Sequence, residues 1–310
     1  MKRVRLLLLA AVPVIVTASV YLLAPEDSGA DGAGPDLSAA YRSQAARDAK
    51  GVQGAKAWAE EADSATDDQV LAGRPQGLDA PAEKDLAQQL VASAENSTLD
   101  WRSAYAYVED IGDGQGYTAG LIGFCTGTHD LLTLVERYTK AHPGNGLAEY
   151  LPALRAVDGT DSHEGLDPGF PAAWKAEAAR PAFQKAQDAE RDRVYFDPAV
   201  RLAKLDGLGT LGQFVYYDAM VFHGPGTGPT GFYGMRENAL RTSDSPAEGG
   251  SEKAYLDTFL DIRRAAMKTR KADIDTSRID TAQRRFLDEG NLDLRTPLEW
   301  QVYGETYKVP

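Results

Sequence analysis

Residues 93–123 read SAENSTLDWRSAYAYVEDIGDGQGYTAGLIG, and the fold turns on this stretch. It opens with Glu95 at the end of one helical pattern and runs on to Asp113 in a glycine-rich turn. Upstream, Leu86, Leu90, Val91 and Ala94 recur at helical spacing and give the run from Asp85 one apolar face. Asn96 and Ser97 end it, because Asn tolerates the left-handed conformation that closes helices. Glu95 therefore falls in a last turn, where the helix dipole disfavours negative charge and raises a carboxyl pKa. A general acid needs that rise to keep its proton near neutral pH. The competing reading is a solvated glutamate at a helix end.

A short helix over Leu99–Val108 leads into the turn Glu109–Thr118, where Gly112, Gly114 and Gly116 permit positive φ and a tight reversal. Several motif readings fail. An EF-hand loop starting at Asp110 or Asp113 needs a Glu where Leu121 or Phe124 stands. A phosphate loop needs a Gly-Lys-Ser/Thr that is absent. A dinucleotide fingerprint needs a preceding strand inside a βαβ unit. Two readings survive: a plain glycine hairpin, or a turn that presents Asp113 to a cleft. Two carboxylates in unlike settings are the minimum equipment for acid/base hydrolysis of a glycosidic bond.

Several blocks, in order, carry a resemblance. They are SAENSTLDW from Ser93, YVEDIGDGQGYTAGLIGFCTGTHD from Tyr107, ERDRVYFDPA from Glu190, GQFVYYDAMVFHGPG from Gly212, DTSRIDTAQRRFL from Asp275, and GNLDL from Gly290. From about Pro81 to the C-terminus the chain resembles the chitosanases of glycoside hydrolase family 46. The resemblance implies a mainly α, two-lobed, lysozyme-like fold with a small β-hairpin element and a substrate cleft between the lobes. It also implies endo-acting, inverting hydrolysis of β-1,4-linked glucosamine polymers such as chitosan. Glu95 matches the general acid and Asp113 the general base, and Thr118 matches a residue that helps hold the attacking water. Asp130 matches a carboxylate that grips a substrate amine. Arg278, Asp218 and Arg263 match a buried charge network that ends on the acid. Gln115 stands where the family pattern has Arg, and Arg270 and Ile274 where acidic residues are common.

Some of these residues also have a plainer reading. Asp130, behind Thr128 and at the head of a helix ended by His142-Pro143-Gly144, could serve only the helix dipole. Tyr195, between two proline-separated helical patterns, suits a sugar contact or core packing equally. Asp218 lies inside the most apolar helical stretch, Leu208–His223, so it must be paired or exposed. An arginine beside Glu95 would lower its pKa, and the expected resolution is that Asp218 absorbs much of the Arg278 charge. The tail from Trp300 to Val309 alternates only weakly and is expected along the surface.

The chain divides into three segments. Residues 1–24 place Lys2, Arg3 and Arg5 before an uncharged apolar run, the layout of a secretory signal or an uncleaved signal anchor. Either form puts the rest outside the cytoplasm. Residues 25–80, rich in Ala, Asp, Glu, Gly and Ser, read as a linker or pro-region in which Ala39–Ala62 could form one helix. Residues 81–310 are then the catalytic unit, long enough for a two-lobed core.

Composition narrows the chemistry further. Cys125 is the only cysteine, so no intrachain disulfide or thiolate zinc site is expected, and a lone Cys in an apolar run reads as a core residue. The four histidines form no metal-ligating pattern, and no metal or organic cofactor is expected. The net charge of −13 argues against nucleic acid as a partner and suits a polycation. The protein is expected to act as a monomer, with membrane contact only through an uncleaved N-terminal anchor. Two alternatives stay open: a hydrolase of another amino-sugar polymer (peptidoglycan or chitin), or a non-catalytic surface protein that binds polycations.

Overall fold

The computed structural model describes residues 65–112 and 114–310. The N-terminal apolar run, the candidate helix at Ala39–Ala62 and Asp113 lie outside them. The helices are α1 (Ala65–Ala72), α2 (Pro81–Glu95), α3 (Asp130–Ala141), α4 (Leu151–Val157), α5 (Phe170–Ala178), α6 (Pro181–Arg191), α7 (Asp197–Leu205), α8 (Thr210–His223), α9 (Phe232–Thr242), α10 (Glu252–Arg270) and α11 (Arg284–Asp288). Strands β1 (Val108–Asp110), β2 (Tyr117–Ala119) and β3 (Phe124–Cys125) form one antiparallel sheet, and β4 (Leu298–Val302) with β5 (Glu305–Val309) forms a hairpin.

Two apolar cores define two lobes. The small-lobe core gathers Val108, Tyr117 and Phe124 of the sheet with Leu131, Leu134, Leu154, Trp174 and Phe183. The large-lobe core gathers α7–α11 with Trp300 of β4. Helix α2 serves both: Leu86, Leu90, Val91 and Ala94 face the large core, while Ala92 faces the small one. A helix buried around most of its girth has to lie between layers, which explains why its apolar residues exceed one stripe. A rod made of α6, a π-turn at Asp192–Phe196 and α7 also joins the lobes, with Phe183 in one core and Phe196 in the other.

Three expectations are corrected. The boundary at Pro81 falls inside the folded body: Leu78 is 0% exposed in the large core, and Arg201 of α7 pairs with Asp68 at 3.1 Å. The tail lies along the surface only in part: β5 is mostly exposed, while β4 packs inward. Leu298, Trp300 and Val302 alternate inward in β4, and the Trp300 indole N–H donates to Ser93 Oγ at 2.9 Å. The helix expected over Leu99–Val108 is a 3-10 segment, Trp101–Ala106, that hands over to β1.

Candidate active site

Glu95 is the last residue of α2. The helix stops there because Ser97, not Asn96, takes the left-handed conformation at φ 51°, while Asn96 stays at φ −124°. Ser93, one turn back, is anchored to Trp300, so the C-terminal hairpin braces the tip that bears Glu95. The Glu95 side chain is only 9% exposed.

Behind Glu95 lies a buried ionic chain. The Arg278 Nη1 lies 2.7 Å from Glu95 Oε1, close but off the line of a good hydrogen bond. Arg278 is better engaged with Asp218, donating through Nη2 to Oδ1 at 2.6 Å and through Nε to Oδ2 at 3.3 Å. Asp218 also pairs with Arg263 at 2.7 Å and accepts from the Gln283 amide at 2.6 Å. The two guanidinium groups hold the Asp218 carboxyl down at about 2 against its own burial. Glu95 goes the other way: desolvation outweighs the pull of Arg278 and raises its pKa. The aligned hydrogen bonds of Arg278 thus go to Asp218, and the net shift at Glu95 is upward.

The local backbone makes this convergence possible. Arg278–Gln283 is a π-turn, closed by hydrogen bonds five residues apart. Residues 278 and 283 therefore share a face and both reach Asp218, whereas in an α-helix they would point apart. The other π-turn, Asp192–Phe196, carries Tyr195. The sequence pattern showed neither, and read two helices with Tyr195 between them.

The candidate general base, Asp113, lies outside the described residues, but both sides of its turn are defined. Asp110 pairs across the hairpin with Tyr117, and its carboxylate accepts the Gly112 N–H at 2.8 Å. The Gln115 carbonyl accepts from the Gly127 N–H at 2.9 Å and from the Thr126 hydroxyl at 3.1 Å. Gly116 sits at φ +67° against Thr126, where any Cβ would collide with that hydroxyl. The hairpin belongs to the small lobe, while the chain behind Glu95 belongs to the large one.

Thr118 is fully buried in β2, with its hydroxyl 3.3 Å from the Cys125 thiol on the paired strand. Asp130 does start α3, and its Oδ1 accepts from the Cys125 N–H (2.8 Å), the Thr128 hydroxyl (2.7 Å) and the Leu131 N–H (2.9 Å). Burial nevertheless lifts its carboxyl to about 6. Tyr195 packs partly against the large core and feels the Asp130 charge, so the structure brings these two together across the lobe junction. Tyr303, at the tip of the β4–β5 hairpin, escaped the sequence reading. It is 37% exposed, and its phenol feels both Arg278 and Glu95. A groove of about 320 Å³ between α3 and α6, lined in part by Arg137, Tyr138 and Lys185, does not include any of these residues. Among the described residues, no group of three or more His, Cys, Asp or Glu side chains could hold a metal ion.

Known proteins match this arrangement closely. The family described as Glycosyl hydrolase family 46 matches residues 89–298. A chitosanase of Streptomyces sp. (strain N174) is 58% identical over 233 residues, covering 75% of this chain and 84% of that protein. One of Nocardioides sp. (strain N106) is 54% identical over the same shares. A solved chitosanase complex structure is 55% identical with a TM-score of 0.73, covering 76% of this chain and 100% of its own. The native chitosanase from Bacillus subtilis MY002 is 35% identical with a TM-score of 0.67, covering 74% of this chain and 99% of its own. With a family match over residues 89–298 and relatives more than half identical over three quarters of its length, this chain belongs to glycosyl hydrolase family 46.

Proposed function

We infer that the protein is an endo-acting chitosanase that hydrolyses β-1,4 linkages between glucosamine units with inversion at the anomeric carbon. The observation that carries this reading is Glu95: a carboxyl whose pKa is raised by desolvation, at the tip of the helix shared by both cores, in a chain of this family. Glu95 donates its proton to the glycosidic oxygen as the C1–O bond breaks. Asp113 takes a proton from a water that attacks the opposite face, with Thr118 helping to hold that water. The gap that admits the water corresponds to carboxyl groups about 6.5–9.5 Å apart. Asp130 pairs with a substrate ammonium group, and Tyr195 flanks it. Arg278, steadied by Asp218 and Arg263, orients Glu95. The net charge of −13 draws in the polycation.

Glu95→Gln and Asp113→Asn should each lower kcat on fully deacetylated chitosan about a hundred- to ten-thousand-fold, measured as reducing-end release. Near-normal turnover by either variant would overturn the assignment. Faster release from acetylated polymer would move the substrate to chitin or peptidoglycan. We further propose that residues 1–24 export the chain and that the segment ahead of Ala65 links it to the body. N-terminal sequencing of the mature protein tests this.

A further inference from the structure

The turn that carries Asp113 has an unusual support on its entry side. His163 Nε2 lies 3.2 Å from Asp110 Oδ2, a close polar contact rather than an aligned hydrogen bond. Its Nδ1 lies 3.4 Å from Asp167 Oδ2. The imidazole stacks on Tyr117 with centroids 4.1 Å apart and planes 11° apart. The Tyr117 hydroxyl in turn donates to Asp167. The groups facing His163 are therefore Asp110 from β1, Tyr117 from β2 and Asp167 from its own segment. That segment is itself pinned: the Gly159 N–H donates to the Thr126 carbonyl at 2.9 Å, and His129 pairs with Asp158 at 2.6 Å.

We propose that His163 is a positioning residue for the reaction. It holds the Asp110 carboxylate in place and, through the bond from Asp110 to the Gly112 N–H, sets the direction of the turn that bears Asp113. The proposal rests on Asp113 being the general base. Its two ring nitrogens each lie beside a carboxylate, Asp110 at 3.2 Å and Asp167 at 3.4 Å, so the ring bridges the hairpin and the segment at Asp167. Without the ring, Asp110, whose side chain is 36% exposed, is free to turn to solvent and release Gly112. The side chain at 115, next to Gly116, is a neutral Gln, and His163 is the ring that reaches this hairpin's carboxylate, Asp110.

Four variants test it on a defined glucosamine oligomer. His163→Phe keeps the stacking on Tyr117 and loses both nitrogens. It should lower kcat on the order of 10-fold, the cost of a small displacement of a reacting group, with KM within two-fold and the melting point nearly unchanged. His163→Arg, planar, cationic and able to stack, should restore most of the activity. Asp110→Asn should resemble His163→Phe, and the double variant should be no worse than either single one. A wild-type kcat in His163→Phe, an effect confined to KM or melting point, or additive losses in the double variant would each overturn the proposal. Asp113→Asn run alongside separates the two failures. An inactive Asp113→Asn beside a fully active His163→Phe rejects His163 alone, and an active Asp113→Asn rejects the general base as well.

Discussion

Glu95 and the turn at Gly112–Gly116 are held by different forces. Behind Glu95 stands a chain of side chains, Arg278, Asp218, Arg263 and Gln283, all nearly inaccessible to water. The turn is held by backbone bonds and by half-exposed carboxylates and a histidine. A buried ionic chain must be complete, since removing one member strands a charge in low dielectric. A solvated turn can lose one support and let water replace it. The wall that carries Glu95 is thus set by desolvation, and the wall at Gly112–Gly116 by backbone geometry.

The sharpest break of this contrast is Arg278→Ala. It leaves Asp218 and Glu95 buried without their shared cation, and should cost about 3–5 kcal/mol, as for other broken buried pairs. Thermal unfolding should show a fall of roughly 10 °C. A variant that melts like the wild type would erase the distinction between the walls, and an unchanged kcat would remove Arg278 from the orientation of Glu95.

Acid titration is the next largest effect. The Asp218 carboxyl, at 3.8 when free, is held down at about 2. A depressed acid stabilises the fold above its unfolded pKa and loses that contribution as pH falls through the folded one. Roughly 2 kcal/mol should therefore drain away between pH 4 and pH 2, visible in urea midpoints. Midpoints that stay flat across that window would mean that the network is not ionised as described.

Gly116→Ala probes the other wall. Its φ of +67° alone costs an L-residue about 1–2 kcal/mol, and the new Cβ must push Thr126 aside. The expected signature is a modest drop in melting point with a disproportionate loss of kcat, because the turn moves. Loss of stability with full kcat would show that the turn does not place the base.

Asp130→Asn is expected to be mildest. The amide oxygen keeps all three donors now served by Oδ1, so stability at neutral pH should not fall. The Asp130 carboxyl is raised from 3.8 to about 6, so its effect has the opposite sign to Asp218: the wild type loses stability as pH rises through 6, and the variant should not. KM for glucosamine oligomers should rise on the order of 10-fold, the worth of one charge-assisted contact. An unchanged KM would return Asp130 to a purely helix-starting role.

Much of this was readable from the chain. Periodicity placed α8 and α9 closely, and the apolar setting of Asp218 required a partner that Arg278 and Arg263 supply. The pairing of the apolar run at Phe124 with the hairpin also followed from local pattern. The π-turns did not, since one inserted residue leaves hydrophobic spacing almost untouched while rotating every later side chain. The C-terminal hairpin was missed because its alternation is short and its Tyr303–Gly304 turn carries no common hairpin signal. His163 was missed because nothing local links it to Asp110, which lies on a separate element.

What the sequence determined by itself is the family, the helical order and the identity of the two candidate carboxylates, because these rest on residue type and short-range spacing. What only the tertiary structure decided is the electrostatic state of the acid. Glu95 lies far along the chain from Asp218, Arg263 and Arg278, and its pKa depends on how completely water is excluded where these elements meet. Desolvation is a property of packed volume, and no stretch of the chain carries it alone.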